Sequence, residues 1–229
     1  MFGSLACAVI LLASACSPGP DNSQHTDVLF WNGIYYQTPF HSTGRRLTAE
    51  DLGREQFRVR NTVLRGSTPL TDRDAARVTS GEPVFAVKGY DTRFRLAAHH
   101  DGQLFLYESA PYPPARRGAD LIDIEGKVLS IGFFDYCGEG CPVARLEDRS
   151  RVDTLVRSIS AAPVDLSPPW GMGAGEKFVF MSFELADGTR TVRGYNRARG
   201  AFADVIYPDD SFRTAIDAIM RSSSCAPSC

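Results

Sequence analysis

Residues 95–109 read RLAAHHDGQLFLYES. Two apolar runs flank Asp101-Gly102, and an Asp-Gly pair in that setting is the strongest short-range signal for a β-hairpin. A second hairpin of the same type is expected in FVFMSFELADGTRTVRGYNRARG (178–200), around Asp187-Gly188. VLFWNGIYYQT (28–38) is aromatic and β-branched, with Asn32-Gly33 inside it to close a tight hairpin or to mark a bulge. FRVRNTVL (57–64) alternates Phe57, Val59, Asn61 and Val63 as a half-buried strand does, and PVFAVKGYD (83–91) adds another strand. DLIDIEGKVLSIGFFDY (120–136) reads as a long strand interrupted at Gly126.

Helical spacing is confined to two places. RSRVDTLVRSI (149–159) sets Val152, Leu155, Val156 and Ile159 on one face. PDDSFRTAIDAIM (208–220) starts with Pro208 and Asp209 or Asp210 and would bury Phe212, Ile216, Ile219 and Met220. The two amphipathic helices are expected over about 150–160 and 209–221. Shorter features are a capping-box turn at Thr48-Ala-Glu-Asp51 and a helical turn in TDRDAARV (71–78). About eight strands and two helices, joined by hairpins rather than by strand–helix–strand alternation, predict an α+β fold dominated by antiparallel sheet. A doubly wound nucleotide fold is not expected. PYPPARRG (111–118) breaks the strand pattern, since its prolines cannot donate to a ladder. We expect one α+β domain over 28–221, with a subdivision near 111–118 as an alternative.

Compartment is read from the N-terminus. MFGSLACAVILLASA (1–15) is an apolar run too short to span a bilayer, which needs about 20 residues. It has the length and Ala-x-Ala ending of a secretory signal. Ala13-Ser14-Ala15-Cys16 has the form of a bacterial lipobox, in which Cys16 receives a diacylglycerol and becomes the new N-terminus. The alternative is ordinary cleavage after Ala15, leaving a free secreted protein. The polar stretch that follows, within residues 16–27, has the composition of a flexible tether. The expected location is the extracytoplasmic face of the cell membrane, with acyl chains (palmitate among them) as the anchor.

The hydrophobic content of 43% suits an ordinary globular core. A net charge of −2, with basic residues scattered singly, lacks the footprint of a nucleic-acid binder. No polybasic patch marks recognition of lipid headgroups, so membrane contact rests on the anchor alone.

WNGIYY (31–36), PVFAVKGYDTRFRLAAHHDGQLFLYES (83–109) and LIDIEGKVLSIGF (121–133) resemble a family of uncharacterised bacterial lipoproteins. Its members carry a Trp-Asn-Gly-x-x-Tyr strand, then a Lys-Gly-Tyr-Asp-x-x-Phe-Arg-Leu-Ala segment with an Asp-Gly hairpin. A later helix followed by Ala-Pro-Val, and a hairpin of the form Phe-x-Leu-x-Asp-Gly-Thr, extend the likeness over most of 28–220. The resemblance implies cell-surface localisation. The family has no assigned activity, so no catalytic residue is transferred. In the Gly89-Tyr90-Asp91 motif, Tyr90 and Asp91 are expected to hydrogen-bond across a turn, with Arg93 or Arg95 neutralising Asp91.

The residues offer little chemistry. His25 lies in the tether and His41 in a loop, while His99 and His100 would point to opposite faces of a strand and not share a metal. GMGAGEK (171–177), in a loop, lacks the spacing of a phosphate-binding loop. Asp120, Asp123 and Glu125 on one strand are weak candidates for cation or sugar contacts.

The cysteines remain. Cys7 leaves with the leader and Cys16 is the lipid-attachment residue. Cys137 and Cys141 in DYCGEGCPV (135–143), with Cys225 and Cys229 in the tail 222–229, form two Cys-x3-Cys pairs. Outside the cytoplasm an even number reads as disulfides, with three connectivities open. Local bridges, Cys137–Cys141 and Cys225–Cys229, are favoured because Gly138 and Gly140 make the first loop pliable. Each is worth about 2 kcal/mol in the chain-entropy model, against about 4.5 kcal/mol for the first bridge crossing between the pairs.

The expected function is a non-catalytic binding or accessory module of the cell envelope. It would have no cofactor, no metal and no nucleic-acid partner, and would meet an envelope protein or small ligand. The alternative is a thiol-dependent redox or copper- or zinc-handling lipoprotein using the Cys-x3-Cys pairs.

Overall fold

A computed structural model of the chain describes residues 27–39, 44–63, 70–134, 142–167 and 178–222. Among them are thirteen strands and three helices. Residues 1–26, and with them the leader, Cys16 and His25, lie outside that set. So do His41, Cys137, Cys141, the GMGAGEK segment, Cys225 and Cys229.

β1 (Val28–Trp31) and β2 (Ile34–Gln37) pair with Trp31 opposite Ile34. Asn32 and Gly33 have φ of 51° and 77°, the left-handed pair that a type I′ turn requires. The dipeptide therefore closes a hairpin and makes no bulge. β3 (Leu52–Arg58), β4 (Asn61–Thr62), β5 (Asp74–Ala75) and β6 (Pro83–Val87) follow, then the Asp101-Gly102 hairpin of β7 (Arg95–His100) and β8 (Gln103–Ser109). These eight strands form one sheet in the order β3-β6-β7-β8-β2-β1-β5-β4. All pairings are antiparallel except β4 with β5.

α1 (Gly118–Leu121) leads to β9 (Val128–Phe134), β10 (Ala144–Leu146) and α2 (Arg149–Ala161). The hairpin of β11 (Phe178–Leu185) and β12 (Arg190–Asn196) comes next, followed by β13 (Ala201–Phe202) and α3 (Asp210–Ser222). The second sheet has the order β10-β9-β11-β12-β13. Met181 and Phe183 stand in register with Phe133 and Ile131 on β9 and are fully buried. Phe212 of α3 packs edge-on against Tyr195, with centroids 5.1 Å apart.

Both helices fall where the apolar spacing placed them. The Asp148 carboxylate caps α2 by accepting the Arg151 N–H at 2.9 Å, and Val152, Leu155, Val156 and Ile159 are buried. Asp209 accepts the Phe212 N–H at 3.1 Å. Phe212, Ile216 and Ile219 are buried, while Met220 is half-buried.

Three expectations are corrected. The strand expected over 57–64 is two strands on opposite edges of the first sheet. Val59 exchanges bonds with Glu82 and Gly81, and Arg60 donates its N–H to Arg73, so the chain crosses from one edge to the other. The helical turn expected over 71–78 is a tight turn entering β5. The buried Asp74 carboxylate takes both the N–H and the O–H of Thr71, at 2.8 and 2.6 Å, and closes that turn. The strand expected over 120–136 begins only at Val128. Asp120 collects the N–H groups of Arg116 and Arg117, at 2.8 and 3.0 Å, which winds the chain into α1 instead.

The first sheet uses residues before 110 and the second residues after 127. The sheets thus part at the proline-rich segment. One apolar cluster nevertheless runs through both, from Tyr36, Leu96 and Tyr107 to Ile131, Phe183 and Ile216.

Candidate functional site

Where the sheets meet, a charged pair is buried. Arg95 and Glu108 stand directly opposite on β7 and β8, with exposures of 0% and 2%. Arg95 Nε and Nη2 donate to Glu108 Oε1 at 2.9 and 2.7 Å. Arg95 Nη1 donates to Thr189 Oγ1 at 2.9 Å, and Nη2 also reaches the Arg190 carbonyl at 3.3 Å. The guanidinium lies 4.6 and 4.9 Å from the ring centroids of Tyr90 and Phe94, within cation–π range.

Glu108 Oε2 accepts the Thr191 O–H at 2.8 Å and lies 2.8 Å from Arg193 Nη2. Burial alone would raise its pKa. The charges of Arg193 and Arg95, with the hydrogen bonds, outweigh burial and hold the carboxyl below its ordinary range. Glu108 is therefore ionised at neutral pH with both oxygens engaged. That leaves it unsuited to accept a substrate proton.

The β11–β12 turn is clasped by the same sheet. Tyr90 donates its O–H to Asp187 Oδ2 at 2.9 Å, and burial pushes the phenol up to about 12. Asp187 Oδ1 accepts the N–H and O–H of Thr189, at 2.8 and 2.7 Å. Arg45 Nε donates to the Asp187 carbonyl at 2.8 Å while its other nitrogens hold Asp51.

Beside this network opens a cleft of about 400 Å³, within the range of small-molecule sites. Glu108, Ser109, Arg190 and Arg193 line it, and Leu121 and Phe180 supply apolar surface. The Arg193 side chain, 19% exposed, lines the cleft and donates through Nη1 to the Val192 carbonyl at 2.9 Å.

The sequence-derived candidates are placed elsewhere. The Cys-x3-Cys pairs and Cys16 lie outside the described residues. Asp120, Asp123 and Glu125 do not share a strand. Asp120 caps α1, Asp123 accepts the Asp91 N–H at 2.7 Å and pairs with Lys127, and Glu125 is exposed in a turn. Arg93, not Arg95, neutralises Asp91, at 2.6 Å. His99 is exposed, and His100 packs on Phe105 with Nε2 3.2 Å from Asp101. Among the described residues no group of three or more His, Cys, Asp or Glu is placed to hold a metal, and no helix is long and apolar enough to cross a membrane.

The cleft residues were missed, although a signal for the central pair exists. Arg95 and Glu108 are equidistant from the Asp101-Gly102 turn, so a two-residue loop sets them face to face. Arg193 carried no comparable signal, because its approach to Glu108 depends on how two sheets dock. No protein-family model, curated protein or solved structure matches the chain.

Proposed function

We propose that the chain is an exported, non-catalytic binding module, held on the extracytoplasmic face of the cell membrane by lipid on Cys16, with the cleft between its sheets as the ligand site. The leader 1–15 and the Ala13-Ser14-Ala15-Cys16 sequence support the anchor, and the likeness of residues 31–36 and 83–109 to bacterial lipoproteins agrees with it. One observation carries the binding reading. The cleft is bounded by strands whose central charges, Arg95, Glu108 and Arg193, satisfy one another, so that Glu108, with both oxygens engaged, serves as a recognition surface and not as a general base.

Native mass spectrometry of the protein purified from membranes tests both parts. The expected spectrum has a diacylglyceryl mass on the Cys16 peptide and a non-covalent small-molecule adduct. Ala110→Trp, which fills the cleft, removes the adduct, and Cys16→Ala moves the protein out of the membrane fraction. Retention of Cys16→Ala in membranes overturns the anchor. An adduct indifferent to Ala110→Trp overturns the cleft.

A further inference from the structure

The β1–β2 hairpin has two unlike faces. Leu29, Ile34 and Tyr36 are buried in the core, while Phe30 and Tyr35, opposite one another in the register, stand on the other side. Their ring centroids are 4.5 Å apart. Phe30 is half-buried and Tyr35 is 45% exposed. Among the described residues the one other large hydrophobic side chain so exposed is Leu129, on β9 of the second sheet. No further strand can pair with the hairpin, because β5 and β8 already flank β1 and β2. The charges beside Phe30 are paired. Arg60 lies 3.5 Å from Asp74, the residue opposite Phe30 on β5, and Arg73 lies 3.7 Å from Asp72.

This hairpin is also the first described element after the expected anchor. Residues 16–26 join Cys16 to Asp27. A stretch of that length reaches about 40 Å at full extension and about 18 Å on average as a flexible chain. A compact chain of about 200 residues is about 40 Å across. The average reach is thus shorter than the domain, so the end bearing Val28 is the end held near the bilayer. Phe30 is two residues along β1 from Val28, about 7 Å. A tyrosine ring, apolar with one polar tip, suits the membrane–water interface. A protein partner fits less well. A stable interface covers about 800 Å² on each side, and two partly covered rings of about 150–250 Å² each fall short of that. A bilayer asks less of them, since acyl chains already hold the protein there.

We propose that Phe30 and Tyr35 rest in the headgroup layer of the bilayer in which Cys16 is anchored, and so fix the orientation of the domain. This assignment rests on the lipid anchor at Cys16 and not on the cleft being the ligand site. Because the neighbouring charges are paired, the contact is apolar and needs no anionic lipid. Gln37 lies on the same face of β2 as Tyr35, about 7 Å further along, and lines the cleft. The seated domain therefore holds the cleft beside the membrane.

The test is fluorescence quenching of the full chain, purified from membranes and reconstituted into phosphatidylcholine vesicles whose lipid is brominated high on the acyl chains. Trp31, next to Phe30, is the reporter, and Trp170→Phe removes the other tryptophan. Trp31 loses most of its emission in brominated vesicles, and the loss persists at high salt. Tyr35→Asp, a change at an exposed position, restores most of that emission while the protein stays on the vesicles. A control with Leu129→Trp in a Trp31→Phe, Trp170→Phe background keeps its emission. If that control does not fold, the comparison with Tyr35→Asp decides alone. Vesicle-bound protein whose Trp31 is quenched no more than in Tyr35→Asp overturns the seating and leaves the anchor. Quenching that appears only with anionic lipid also overturns the seating. Protein that carries no lipid and leaves the vesicles overturns the anchor and the seating together.

Discussion

Arg95 Nη2 and Glu108 Oε1 lie 2.7 Å apart across neighbouring strands, and neither side chain has more than 2% of its surface in water. Breaking such a pair from one side leaves an uncompensated buried charge, which costs about 3–5 kcal/mol. Arg95→Met and Glu108→Gln are each expected to lower stability by that amount in denaturant unfolding. Glu108 also sets an acid limit. Its folded pKa is below the ordinary 4.5, so its contribution is present above about 4.5 and lost as pH falls through the folded value. Wild type should therefore lose stability on acidification more steeply than Glu108→Gln.

Asp27 titrates with the opposite sign. It is buried, its Oδ2 accepts the Tyr107 O–H at 2.5 Å, and its Oδ1 has no partner among the described residues. Burial raises its pKa above 3.8 despite that hydrogen bond. Its contribution is then fully present below about 3.8 and lost as pH rises through the folded value. Asp27→Asn keeps an acceptor for Tyr107 and removes the charge. It should raise stability at pH 7 by about 1 kcal/mol, the low end of the penalty for an unsatisfied buried polar group. The gain should shrink towards pH 4, as measured by unfolding midpoints across that range.

Thr191→Val preserves shape and removes one donor from Glu108 Oε2. The expected loss is about 1.5–3 kcal/mol, the worth of a hydrogen bond to a charged group. In a double-mutant cycle with Glu108→Gln most of that loss should disappear, because the two residues share one network. Full additivity would contradict the geometry.

Two glycines separate crowding from backbone strain. A Cβ on Gly118 would stand 2.0 Å from the Ile159 carbonyl oxygen, a backbone atom that cannot swing away. Gly118→Ala should therefore cost about 3 kcal/mol or more. A Cβ on Gly33 meets nothing within 4 Å, but φ is +77° there. Gly33→Ala should cost only about 1–2 kcal/mol, the left-handed penalty. Thermal unfolding of the two variants checks the order.

Local patterns carried most of the fold. The three turn dipeptides at Asn32, Asp101 and Asp187 and the helical stripes of α2 and α3 depend on neighbours in sequence, and they stand where sequence places them. Two of the three misreadings share one cause: a side chain captured backbone donors that pattern reasoning had assigned elsewhere. Asp74 closed a turn where a helix was expected, and Asp120 wound a helix where a strand was expected. The cleft was hardest to foresee. The network beside it joins Glu108 to Thr191 and Arg193, more than eighty residues away, and no periodicity within one segment encodes how two sheets meet.

That distance also bears on the order in which the protein is made. Arg95 and Glu108 leave the ribosome long before Thr189, Thr191 and Arg193, so the first sheet carries an unfinished charged notch until the last hairpin arrives. Closing contacts so far apart in sequence slows folding, and a chain ending before residue 178 would lack the groups that complete the notch. Such a fragment should behave as a substrate for proteases rather than as half of the protein. On the export route proposed above, a core completed only by its far end would keep the chain in a translocatable state until synthesis is nearly done.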